Sequence, residues 1–191
     1  MPITPQQVTA AILSASPTLT GPKWGSICTA IGQAIVPWSL TPGNVVLVGS
    51  TNGALGAGTV TGKFFLPFPP TLLVSSMSAG GLNGVVSPQM SVATALGIGA
   101  AYTSFAGYAG VSTGAIGVDT SKVTFANGAV LTGLLIPSFS ANGLAGPVAA
   151  ELASAMSTGI ALGFATGYGT GVAAGAGGPM VGTGVSNSTL I

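Results

Sequence analysis

A four-residue spacing of small side chains dominates the pattern between residues 151 and 175. The series consists of Ala155, Gly159, Gly163, Gly167 and Gly171. Because positions four apart share one face of an α-helix, the spacing predicts a helix with a ridge of small side chains. Each glycine costs about 1 kcal/mol relative to alanine in an isolated helix. The ridge therefore needs a closely packed neighbour, either within the chain or from another copy.

Three earlier segments also have helical patterns. Residues 4–16 predict an amphipathic helix, capped by Thr4 with Pro5 at its first position. Residues 26–36 predict an apolar helix that ends at a proline, and residues 87–107 predict another that begins with a serine and a proline. This last helix has its own small-residue positions, which are Ala93, Gly97 and Ala101.

Short strands are predicted between the helices. Apolar and β-branched residues are concentrated in four segments, residues 44–48, 59–67, 118–125 and 129–137. Glycine-rich segments lie before or between them, which is typical of turns.

The pattern repeats along the chain. At an offset of 62, residues 78–84 match residues 140–146 at five positions, and Ala93 and Gly97 fall on Ala155 and Gly159. At an offset of 65, residues 26–32 fall on residues 91–97. We therefore expect an α+β fold in one compact domain, residues 1–191. It would contain three related units, each an apolar small-residue helix followed by a glycine-rich turn and short β segments. The expected units are residues 4–68, 69–134 and 135–191.

The chain has very few charged residues. They are Lys23, Lys63, Asp119, Lys122 and Glu151, or 3% of the sequence. About a quarter to a third of an ordinary soluble surface is charged, so most of this surface is expected to be covered by lipid, by other copies or by other proteins. Three scattered lysines and no arginine exclude nucleic acid as a partner, because phosphate binding requires clustered cations.

No pattern of catalytic residues is visible. The chain has no histidine, and its two carboxylates, Asp119 and Glu151, lie 32 positions apart (151 − 119). Residues 56–64 lack the first glycine and the Ser/Thr of a phosphate-binding loop. We therefore expect no catalytic, cofactor or metal site. Trp24 and Trp38 flank the second helix and are candidates for interface anchors or for core packing.

Apolar helices are followed by glycine-rich segments of similar composition, each of which contains valine and threonine. These are GAGTVTG at residues 56–62, GAIGVDT at 114–120 and VGTGVSNS at 181–188. In this respect the chain resembles the charge-poor, Gly/Ala-rich structural proteins of tailed-bacteriophage virions. The resemblance implies a non-enzymatic subunit located in the virion, in the tail, baseplate or neck. Its implied partners are copies of itself and other virion proteins.

A membrane protein is the alternative prediction. The mean hydropathy is +0.76, and small-residue ridges also mediate association of transmembrane helices. In this interpretation the chain is an integral or pore-forming protein, which is either inserted from the start or stored folded and inserted later. Against it, Leu152 to Tyr168 provides 17 uncharged residues, whereas a spanning helix needs about 20.

Overall fold

The computed structural model describes residues 3–41, 44–52, 57–103, 109–115, 118–123, 127–165, 169–174 and 179–182. Two helices followed by two strands occur three times along this part of the chain. The elements are α1 (Pro5–Ser14), α2 (Trp24–Ser39), β1 (Val45–Asn52), β2 (Ala57–Phe64), α3 (Pro70–Ala79), α4 (Val86–Tyr102), β3 (Ala109–Ala115), β4 (Val118–Val123), α5 (Gly128–Ala141), α6 (Pro147–Ala165), β5 (Gly169–Ala174) and β6 (Pro179–Gly182).

The helices form a closed ring. Each packs against the helices before and after it in the sequence, and α6 packs back against α1. Within each pair the second helix is the longer one, so that α2, α4 and α6 alternate with α1, α3 and α5 around the ring. The centre is filled by one continuous hydrophobic core to which all six helices contribute.

The three long helices bury equivalent positions. When 63 is added to the residue numbers of the nine buried residues of α2, the result is nine of the ten buried residues of α4. Adding a further 62 gives the nine buried residues of α6. For example, Trp38, Ala101 and Gly163 occupy equivalent buried positions on the three helices. The offset of 62 predicted from the sequence is therefore confirmed for the last two helices. The predicted offset of 65 for α2 and α4 is wrong, because the burial pattern aligns them at 63.

Two glycines of α6 allow this helix to pack closely on α1. A Cβ atom on Gly163 would lie 2.7 Å from Val8 Cγ2, and one on Gly159 would overlap the backbone of Ile12. The same arrangement occurs between α4 and α5, where a Cβ on Gly97 would lie 2.5 Å from Leu135 Cδ2. Helices α4 and α6 thus pack through their small residues against the first helix of the following pair. The close contacts of Gly32 in α2 are instead with Pro5 and Thr9 of α1, the other helix of its own pair.

Helix α1 begins where the sequence predicts, after the capping residue Thr4. Thr4 Oγ1 accepts a hydrogen bond from the backbone N–H of Gln7, and the Gln7 side chain accepts one from the backbone N–H of Thr4. This reciprocal arrangement, with Pro5 at the first helical position, satisfies donors that would otherwise have no partner. The predicted cap is confirmed.

The six strands form an antiparallel sheet in the order β5-β4-β3-β2-β1-β6. Only residues 175–178 connect β5 to β6, so Ala174 and Pro179 are at most about 18 Å apart. In a flat sheet of six strands the two edges would be about 24 Å apart. In addition, Cα atoms of β1 lie within 8 Å of Cα atoms of β4. The sheet is therefore strongly curled.

The expected α+β fold, with one helix and short β segments per unit, is wrong. The packed body is mostly helical and contains six helices, of which α1, α2, α4 and α6 correspond to predicted helices and α3 and α5 do not. Every described strand makes its principal contacts with other strands, so the strands do not form a layer on the helices. Segment 129–137, predicted as a strand, belongs to α5, where Leu131, Leu135 and Phe139 bury one helical face. The expected unit boundary at 134/135 therefore falls inside a helix.

We expect Gly159→Val to destabilise the ring strongly, because the new side chain would overlap the backbone of α1 at Ile12. Overpacking of this kind costs about 3 kcal/mol, measurable by urea denaturation. Gly133→Ala is the matched control, since Gly133 lies in helix α5 and a Cβ there would meet nothing within 4 Å. The free energy of unfolding of the control should rise by up to about 1 kcal/mol, because alanine has a higher helix propensity than glycine. Equal stabilities of the two variants would contradict the role assigned to Gly159.

Candidate interaction surface

The ridge residues predicted from the sequence are packed inside the ring. Ala155, Gly159 and Gly163 of α6 are buried, as are the three corresponding residues of α4, Ala93, Gly97 and Ala101. Their close neighbours are helices of the same chain, as the contacts of Gly159 with α1 and of Gly97 with α5 show. The described ridges therefore hold the ring together and do not present a surface to other copies.

The last two members of the predicted ridge lie beyond α6. The helix ends at Ala165, and Gly171 lies in strand β5, where its Cα pairs with that of Ser121. Gly167 lies outside the described residues. The four-residue spacing is thus helical only up to Gly163.

The two tryptophans occupy different environments. Trp38 is buried, with 3% of its surface exposed, and its Nε1 donates to the carbonyl oxygen of Leu66 at 3.2 Å. Trp24 is partly exposed at the start of α2, packs against the core, and donates through Nε1 to Ser16 Oγ at 2.9 Å. Trp38 is therefore a core residue, whereas Trp24 keeps part of its ring at the surface.

Aromatic rings fill the end of the helical ring nearest the sheet. Trp38 stacks on Phe64 with ring centroids 4.6 Å apart, and Tyr102 meets Phe64 edge-on at 5.6 Å. Phe164 completes the group, 5.2 Å from Tyr102. Trp38, Tyr102 and Phe164 come from the last turns of α2, α4 and α6, while Phe64 ends β2. This cluster fixes the C-terminal ends of the three long helices to one another.

Large apolar side chains are exposed on five of the six helices of the ring. One or more lie on each helix except α2, where Pro37 is exposed instead. They are Leu13 on α1, Leu72 and Val74 on α3, Val86 and Leu96 on α4, Ile136 on α5, and Val148 and Leu162 on α6. The two most central ones on long helices, Leu96 and Leu162, are 55% and 52% exposed.

Charge is nearly absent from the same surface. Among the described residues of the six helices and the loops within each pair, only Lys23 and Glu151 are charged. Lys23 precedes α2, and Glu151 lies in the second turn of α6, where its carboxylate accepts a hydrogen bond from Thr18 Oγ1. The remaining charges, Lys63, Asp119 and Lys122, belong to strands β2 and β4.

An open groove lies beside the buried tryptophan. Its volume is 510 Å³, and its lining is mainly apolar: Pro37, Trp38, Thr41, Leu66, Pro67, Pro69 and Leu72. A smaller groove of 220 Å³ on α1 and α2 has Gln6 and Gln33 among its lining residues. Neither groove is lined by a charged or strongly nucleophilic side chain. Among the described residues, no group of three or more His, Cys, Asp or Glu is placed to hold a metal ion.

Cys28 has a chemically unreactive environment. Its side chain is fully buried in α2, and burial raises the pKa of its thiol to about 12. Because the thiolate is the reactive form, a pKa this high keeps the group protonated and inert at neutral pH.

Comparison with known proteins gives no further guide: no protein-family model, curated protein or solved structure matches the chain. The candidate site is therefore the uncharged, partly apolar outer surface of the helical ring. The scarcity of charge in the sequence predicts a surface covered by lipid or by other proteins. The small-residue spacing, however, assigned the contact with neighbouring helices to the ridges. The exposed positions could be identified only once the ring showed which face of each helix points outward.

The Cys28 thiol predicts a loss of stability at high pH. In the unfolded chain the thiol ionises above pH 9.0, whereas in the folded protein it stays protonated up to about pH 12. Its contribution is therefore fully present below pH 9 and is lost as the pH rises towards 12, by about 2 kcal/mol between pH 9 and 11. Urea denaturation of wild type and Cys28→Ala at both pH values measures the difference. Equal losses in the two proteins would contradict the assignment.

The tryptophans can be told apart by fluorescence. In Trp24→Phe the remaining Trp38 should emit at shorter wavelength and resist quenching by acrylamide, because it is buried among aromatic rings. In Trp38→Phe the remaining Trp24 should be quenched several-fold more efficiently. Similar quenching in both variants would show that Trp38 is accessible to solvent.

Proposed function

We propose that the chain is a non-enzymatic structural subunit of a large symmetric assembly. The observation that supports this is the nearly uncharged outer surface of the helical ring, with apolar side chains exposed on every side. A freely soluble surface would have far more charged residues. Contacts with neighbouring subunits would cover the outer surface of the ring.

Such contacts would be stabilised by burial of apolar surface, at about 25 cal/mol per Å². Ion pairs would contribute little, because Lys23 and Glu151 are the only charged residues of the described ring. Assembly is therefore expected to depend weakly on salt, unlike an interface built from charged groups. Exposed amides and hydroxyls occur on all six helices, among them Gln33 and Thr158, and can add hydrogen bonds.

The kind of assembly is proposed from the sequence resemblance. Charge-poor chains with apolar helices and glycine-rich segments resemble structural proteins of tailed-bacteriophage virions. We therefore propose a place in a virion, in the tail, baseplate or neck, with other virion proteins as partners. The fold is compatible with this role, since its core is complete within one chain and its outer surface remains available for contacts.

Insertion into a membrane is the second candidate, and α6 is the observation that favours it. Among the described residues, this 19-residue helix is the one long and apolar enough to cross a bilayer by length and composition. Half of its apolar window is buried inside the ring, however, and Gly159 and Gly163 pack it against α1. A helix with these contacts fits the core of a globular body better than a lipid environment.

The two candidates differ in how the chain fractionates. We expect the native chain to sediment with a large particle in the absence of detergent, with fixed stoichiometry and equally at 0.1 M and 1 M NaCl. Quantitative mass spectrometry of gradient fractions measures this. Recovery only in the membrane fraction, with release by detergent, would reject the structural proposal in favour of the membrane candidate.

A further inference from the structure

The exposed positions on the long helices recur three times around the ring, with a different residue at each copy. The offsets of 63 and 62 that align the buried residues of the long helices also align exposed ones. Gln33, Leu96 and Thr158 form one exposed set, and Pro37, Ala100 and Leu162 form another, one turn later. Because the buried faces match, each set lies at equivalent positions on the outward faces of α2, α4 and α6. All six residues are uncharged.

Exposed large apolar side chains occur on five of the six helices and are not confined to one patch. The short helices α1, α3 and α5, which lie between the long ones, expose Leu13, Leu72 with Val74, and Ile136. A partner bound on one side would cover at most a part of this circumference. A second copy related by a twofold axis would likewise bury one face and leave the other two in water.

We infer that the helical ring lies on the axis of a surrounding protein ring, made of identical subunits related by threefold symmetry, whose inner surface is uncharged and partly apolar. A single chain with exposed, uncharged residues at equivalent positions on its three long helices can meet each subunit of such a partner at the corresponding place. This inference rests on the proposed structural role and adds the position of the chain and the symmetry of its partner.

The dimensions of the helices argue against lipid as the surrounding medium. Helices α1 and α3 have 10 residues each, which corresponds to about 15 Å, half the thickness of the hydrocarbon core of a bilayer. Exposed Gln6, Gln33 and Thr158 lie among the apolar side chains of the circumference. Polar groups of this kind suit a protein surface that supplies hydrogen-bond partners.

The two charged residues indicate where the surrounding ring ends. Lys23 precedes α2, and Glu151, near the start of α6, meets Thr18 of the loop between α1 and α2. Both therefore lie towards the N-terminal ends of the long helices, away from the aromatic cluster at their C-terminal ends. Charge should be tolerated at this end and rejected along the circumference.

Three single substitutions test the symmetry: Gln33→Lys, Leu96→Lys and Thr158→Lys. All three positions are exposed, so thermal unfolding of the purified variants should match the wild type within a few degrees. The control is Thr20→Lys, an exposed loop residue close to Lys23 at the charged end of the ring. Each variant replaces the wild-type gene in the native source, and its copies per detergent-free particle are counted by quantitative mass spectrometry.

We expect each circumferential variant to lower incorporation at least tenfold and by similar factors, whereas Thr20→Lys should be incorporated normally. In wild-type particles one copy of the chain should accompany three subunits of a neighbouring protein, or a multiple of three. Loss confined to one of the three variants, or equal copy numbers of chain and neighbour, would overturn the axial position while leaving the structural role intact. Absence of the chain from every detergent-free particle would reject the structural role itself.

Discussion

The fold depends on how closely neighbouring helices approach one another. At the contact between α6 and α1, Gly159 and Gly163 leave the space that the backbone of Ile12 and the side chain of Val8 occupy. This contact joins the last helix to the first, so the ring closes only if both glycines lack side chains. Helix propensity alone disfavours glycine, and the packing of two helices against each other is the interaction that offsets this cost. At Gly97, Gly159 and Gly163 the absence of a side chain is therefore a requirement of tertiary packing.

Closure of the ring also determines what remains for contacts with other molecules. The small-residue faces and the large aromatic rings are used inside, which leaves an outer surface of leucine, valine, alanine, threonine and glutamine side chains. A globular body with its own complete core does not need partners in order to fold. Under the proposed structural role, its scarcity of charge reflects the surroundings in which the folded body is placed.

Local signals in the sequence were sufficient where the deciding interactions are local. Thr4 and Pro5 predict the start of α1 because the cap involves residues three apart. The four-residue spacing predicted close packing at Gly97, Gly159 and Gly163, but no local signal showed that the neighbours belong to the same chain. Segment 129–137, rich in leucine and valine and ending in proline, was predicted as a strand. Its helical state depends on Leu135 packing against Gly97 of α4, a contact distant in sequence.

The three pairs of helices are alike in burial but differ in their residues. Where α4 and α6 have Ala101 and Gly163, α2 has Trp38, which stacks on Phe64 and contacts Phe68 edge-on at 5.2 Å. Three separate copies of a single unit would have to carry the same residue at this position. A continuous chain can hold one indole on one side only, and it fixes the order of its three units covalently. The interior of the ring is therefore not threefold symmetric, because one of its three equivalent buried positions holds an indole and the other two hold alanine and glycine.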